Sequence, residues 1–75
     1  MNLSEVKLNK ICVVTNVNIL DDLTKIRIME LGVVINTKIL VKHKSIFKKT
    51  LLIIFNNSCF TISANIAKGI EVKYA

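Results

Sequence analysis

Between Arg27 and Thr37 the chain changes period. Arg27-Ile28-Met29-Glu30-Leu31 reads as helix, Gly32 stops it, and after Asn36-Thr37 the pattern alternates as a strand, Lys38-Ile39-Leu40-Val41-Lys42. Asp21 and Asp22 stand ahead of this segment, where a carboxylate can accept the unpaired N–H groups of a first helical turn. Gly32 has no Cβ and enters the left-handed region at little cost, which ends a helix. Asn36 tolerates positive φ better than other non-glycine residues and sets a second tight turn. The spacing predicts a helix over 24–31, and a helix so short needs tertiary packing to persist in water. Its apolar residues divide, Ile28 and Leu31 toward one side and Leu23, Ile26 and Met29 toward another. Wedged as a lid across the mouth of a small β-barrel, such a helix can use both sets.

The rest of the chain supplies the strands. Lys10 to Val17 forms the first, with Ile11, Val13, Thr15 and Val17 on one face and Cys12, Val14 and Asn16 on the other. Residues 37–44 form the second. Thr50 to Phe55 is apolar on both faces, the mark of the most buried strand. Asn56-Asn57 fits a two-residue hairpin turn, because Asn accepts the positive φ of a type I′ turn. Residues 58–62 return from it, 63–67 form a single helical turn, Gly69 breaks that turn, and Ile70 to Tyr74 alternates as the last strand. Met1 to Asn9 is too short and mixed to be more than a packed lead-in. With 75 residues the chain makes one domain, 1–75. A domain of this size buries roughly 60% of the surface of its unfolded chain. Its 52% hydrophobic content, rich in Ile, Leu and Val, meets that need. The expected class is mainly β: a five-stranded SH3-like barrel with one short lid helix and a helical turn before the last strand, an OB-like barrel being the neighbouring solution.

Eleven basic residues face five acidic ones, a net charge of +6. Lys38, Lys42, Lys44, Lys48 and Lys49 crowd one hairpin together with His43. Such a patch attracts nucleic acid, an acidic protein face or an anionic membrane surface; edge lysines also keep strands from pairing with other chains. The longest apolar run, Leu51 to Phe55, falls far short of the roughly 20 residues of a membrane span, and the N-terminus has no signal-type apolar region. Cys12 and Cys59 lie in apolar runs, which fits buried, reduced thiols in the cytoplasm.

No catalytic constellation is present. His43 has no matched acid or nucleophile, and Asp21 and Asp22 look like helix caps. Cys12, His43 and Cys59 lack the close ligand pairs of metal sites, so neither metal nor cofactor is expected. Arg27, the only arginine, can fork onto a carboxylate where lysine cannot. Ile46 and Phe47 stand between lysines in the loop after the second strand, and aromatic anchors dominate binding energy. Arg27, Lys44, Ile46, Phe47, Lys48 and Lys49 are therefore the candidate partner-binding residues, and Gly32, Asn36 and Gly69 the structural turn residues.

Arg27-Ile28-x-x-Leu31-Gly32, with Thr37 five residues on and the strand Ile39 to Val41 beyond, resembles the FeoA family. The ending Ala67-Lys68-Gly69-Ile70-Glu71-Val72 and the opening Leu3-Ser4-Glu5-Val6 resemble it too. Ile35-Asn36 replaces the family's Pro-Gly, and Ser63 stands where an arginine is common. The resemblance implies an SH3-like barrel, also found as the last domain of iron-dependent repressors. It further implies a cytoplasmic accessory of bacterial ferrous iron uptake whose partner is the FeoB transporter with its GTPase domain; the positive patch would also suit a peripheral site at the inner face of the membrane. The alternative from another class is a small basic nucleic-acid-binding barrel, which the scarcity of stacking aromatics disfavours. A second copy of the chain is a further partner open to it, through an exposed strand edge.

Overall fold

The computed structural model describes residues 1–47 and 49–75; Lys48, one of the candidate contact residues, lies outside the described residues. Its strands are β1 (Ile11–Val17), β2 (Lys38–Lys44), β3 (Thr50–Phe55), β4 (Ser58–Ser63) and β5 (Ile70–Tyr74). They form one antiparallel sheet in the order β4-β3-β2-β1-β5, curled as an SH3-like barrel. Helix α1 (Asp22–Leu31) joins β1 to β2, and the single turn α2 (Ala64–Ala67) joins β4 to β5. β3 and β5 begin and end where the alternation places them. Asn56 and Asn57 take φ of 51° and 60°, as the tight β3–β4 hairpin requires.

The apolar core gathers one face of every strand. Leu51, Ile53 and Phe55 come from β3, Ile39 and Val41 from β2, Ile70 and Val72 from β5, and Ile62 from β4. The two faces of β1 do not keep one alternation along the whole strand. Cys12 and Val14 point inward, then a bulge between Val14 and Asn16 shifts the register, so that Val17 continues the same core. A bulge adds one residue and reverses the parity of everything beyond it, which strict alternation cannot anticipate. Cys12 is buried as expected, its Sγ donating to the Ile39 carbonyl at 3.4 Å. Cys59 is exposed, contrary to expectation, because it lies on the solvent side of an edge strand whose inner side carries Ile62.

The N-terminal lead-in does more than its length implies. Asn2 caps a 3-10 turn, Leu3–Glu5, in a capping box: the Asn2 side chain accepts from the Ser4 N–H while Glu5 accepts from the Asn2 N–H. That turn drives Leu3 and Val6 fully into the core. The Val72 N–H donates to the Met1 carbonyl at 2.9 Å, and Asn2 bridges to Glu71, so the chain start covers the outer edge of β5.

Candidate functional site

The helix-to-strand joint is built as its residues demand. The Asp21 side chain accepts from the Thr24 N–H at 3.1 Å and from the Thr24 hydroxyl. The Thr24 hydroxyl, then its N–H, with Arg27 adding positive charge, hold the Asp21 carboxyl below its ordinary range. Gly32 closes α1 at φ 111°, its N–H donating to the Met29 carbonyl at 3.0 Å, while the Val33 N–H reaches back to Ile28 at 3.2 Å. The Thr37 hydroxyl donates to the Gly32 carbonyl at 2.9 Å and accepts from the Val34 N–H at 3.2 Å. Asn36, at φ 77°, donates its N–H to the Val14 carbonyl at 2.8 Å, and Thr37 accepts from Val14 at 2.9 Å. The joint is thus bolted to β1.

Of the α1 residues, Ile28 alone is buried. The helix was expected to use both its apolar sets against the barrel; it uses one position and turns the rest outward. Leu20 at 99% exposure, Leu23 at 67% and Ile26 at 51% form an apolar surface beside the exposed Arg27. Met29, Val34 and Ile35 continue it around a shallow cleft of about 190 Å³ shared with Lys25. Of this surface, Arg27 alone is among the residues that the sequence singles out as candidates. The signal for the others was available: apolar residues on every side of a short helix cannot all face one core.

The second surface is the β2–β3 loop. The Ser45 hydroxyl accepts from the N–H groups of Lys49 and Thr50, at 3.0 and 3.2 Å, and the Ser45 N–H donates to the Thr50 carbonyl at 3.0 Å. This closes the loop at its base and leaves Ile46 and Phe47 at its tip, 92% and 80% exposed. Lys49 is exposed beside them, and its carbonyl accepts from the Ala64 N–H at 2.7 Å. Lys44 is differently placed: half-buried, its Nζ donates to the Ser4 carbonyl at 3.0 Å and pins the N-terminal turn.

Strand direction separates these surfaces. β1 ends, β2 starts and β3 ends at the α1 side of the barrel, and the loop joins the opposite ends of β2 and β3. Arg27 therefore belongs to a different surface from Ile46, Phe47 and Lys49. Among the turn residues, Gly32 and Asn36 have the positive φ expected of them, whereas Gly69 serves close approach: a Cβ there would stand 2.9 Å from Ile19. Among the described residues, no three His, Cys, Asp or Glu side chains group so as to hold a metal ion. Among the described residues, no helix is long and apolar enough to cross a membrane.

A five-stranded antiparallel sheet of this order, carrying one lid helix and a helical turn before the last strand, defines a class, the small SH3-like barrel domain. The chain belongs to the FeoA family, whose FeoA domain model matches residues 1–74. It is similar to the FeoA protein from Chlorobium tepidum, at 30% identity over 99% of this chain and 70% of that one, with a TM-score of 0.91. It is also similar to FeoA from Stenotrophomonas maltophilia, solved in complex with zinc and put forward as a ferrous iron transport activating factor. There the identity is 29% over 97% of this chain and 89% of that one, with a TM-score of 0.87. A manganese-dependent transcriptional repressor shares the fold at a TM-score of 0.89 and 12% identity, over 99% of this chain and 40% of that one. No curated protein sequence matches the chain.

Proposed function

We propose that this chain is a cytoplasmic accessory of ferrous iron uptake that binds the cytoplasmic part of an FeoB-type membrane transporter and modulates it, without chemistry of its own. Iron is then the transporter's cargo, and this barrel a docking partner. Family membership supports the process, and one observation supports the mode: the outward apolar side of α1, where Leu20, Leu23 and Ile26 flank Arg27. Apolar side chains around an arginine are the composition of an interface centre, where a guanidinium can fork onto a carboxylate once water is excluded.

The experiment is calorimetric titration of the chain into the soluble cytoplasmic domain of the transporter from the same cell, without lipid. Leu23→Ser combined with Ile26→Ser is expected to weaken binding at least tenfold, and Arg27→Lys to weaken it less than Arg27→Ala. Wild-type affinity in the double variant would remove α1 as the docking surface. No binding by the wild-type chain would overturn the reading itself.

A further inference from the structure

The net charge of the molecule resides in one half of the barrel. The α1 half carries Lys25, Arg27 and Lys38 against Asp21, Asp22, Glu30 and Glu71, while Lys73 lies opposite Val13 near the middle of the sheet. The loop half carries Lys7, Lys10, Lys42, Lys44, Lys49 and Lys68 against Glu5, so that among the described residues six cations meet one carboxylate. Lys7 and Lys10 belong there because the connector they flank is tied to the second half of β2, the Asn9 N–H donating to the Val41 carbonyl at 2.9 Å. Lys68 belongs there because it shares a cleft with Lys49, Ala64 and Asn65. At the apex of this half stand Ile46 and Phe47, almost wholly in water, on a loop stiffened at its base by Ser45.

We infer that the β2–β3 loop end is a membrane-docking face, seating Ile46 and Phe47 at the headgroup level of an anionic bilayer while the surrounding lysines meet lipid phosphates. The charge decides the sign of the surface, and the type of cation decides its nature. Ten of the eleven basic residues are lysine. Lysine is a compact, strongly hydrated point charge on a flexible stem, suited to a diffuse field of headgroups, whereas arginine suits the fixed bidentate geometry of a protein or a base edge. An aromatic and a β-branched aliphatic side chain, adjacent at the apex of the cationic half, are left uncovered by the described residues. They gain by leaving water for the acyl boundary. A single-stranded nucleic acid would need successive aromatic platforms, and Phe47 and Tyr74 are the exposed aromatics among the described residues. One side of that half is also concave: Lys7, Lys10, Ile11 and Tyr74 line an open cleft of about 600 Å³, with the Tyr74 hydroxyl accepting from the Lys7 N–H at 3.1 Å. It offers two lysines and a phenol on the same half of the barrel, the mixture that interfacial residues present to headgroups. This surface is separate from α1, so a transporter partner and a bilayer can be held at once.

The test uses the full chain and vesicles with no transporter present, so that it succeeds or fails independently of the α1 proposal. Co-sedimentation is measured with phosphatidylglycerol–phosphatidylcholine vesicles and with pure phosphatidylcholine, at about 50 mM and 500 mM salt. Binding is expected to the anionic vesicles at low salt and to fall at least tenfold at high salt or without phosphatidylglycerol. Ile46→Ser with Phe47→Ser, and separately Lys49→Glu, are expected to reduce it at least tenfold. Leu23→Ser with Ile26→Ser is expected to leave it unchanged. The chain has no tryptophan, so Phe47→Trp gives a single reporter whose emission should shift to the blue on anionic vesicles. No vesicle binding at low salt, or an unshifted Phe47→Trp spectrum on bound protein, would overturn the inference. So would salt-sensitive binding of an RNA oligomer as tight as that to vesicles and indifferent to the Phe47 change.

Discussion

A Cβ placed on Gly69 would stand 2.9 Å from Ile19 Cγ1 and 3.2 Å from the Asn18 carbonyl oxygen, whose own N–H donates to the Gly69 carbonyl. Part of that obstacle is backbone, which does not yield as a side-chain tip does. Gly69→Ala should therefore cost about 1–3 kcal/mol, read as a lower denaturant midpoint at unchanged slope. Gly32→Ala should cost about 1–2 kcal/mol for a different reason, since its φ of 111° disfavours any L side chain. Asp21 contributes through charge. Its folded carboxyl titrates below the unfolded value, so its stabilising effect is fully present above about pH 4 and is lost as pH falls through the lower, folded value. Asp21→Asn should flatten the drop of melting temperature below pH 4 relative to the parent, while leaving the profile between pH 6 and 8 parallel to it.

At the scale of the element, α1 separates stability from contact. Ile28→Ala should cost about 2–5 kcal/mol because it empties a buried site. Leu23→Ser and Ile26→Ser should each stay within about 0.5 kcal/mol of the parent because those side chains already face water. Thermal melts of the three variants check this. The turns and strands were readable where local chemistry fixes them: the Asn56-Asn57 hairpin, the Gly32 stop, and the alternation of β3 and β5. What escaped depends on partners distant in sequence. The β1 bulge answers to β5, Cys59 is exposed because its place on β4 faces away from the core side that carries Ile62, and Leu3 and Val6 are core because Lys44 and Val72 hold the lead-in in place. The exposure of Ile46 and Phe47 was legible, since apolar residues between lysines in a loop lack a core. The apolar side of α1 was legible only in part: apolar residues on every side of a short helix cannot all face one core, but so short a helix gives too little period to show which turn outward.

Across the whole molecule, charge and apolar surface are distributed so that the two ends differ in kind: an electrically balanced, apolar-sided helix at one, a cationic apex at the other. Neither feature is a property of any one strand; both arise from antiparallel order, which returns the chain to alternate ends. The same order joins the extremes of the chain. Cys12 pairs with Tyr74 and Asn2 with Glu71, partners 62 and 69 positions apart. Closing such long intervals costs entropy before it gains contacts, which places refolding in the range of about milliseconds to seconds. A fragment of residues 1–68, without β5, should show no cooperative thermal transition by circular dichroism. On the ribosome, then, this barrel cannot close strand by strand as it emerges: β1 waits, unprotected, until β5 has been translated.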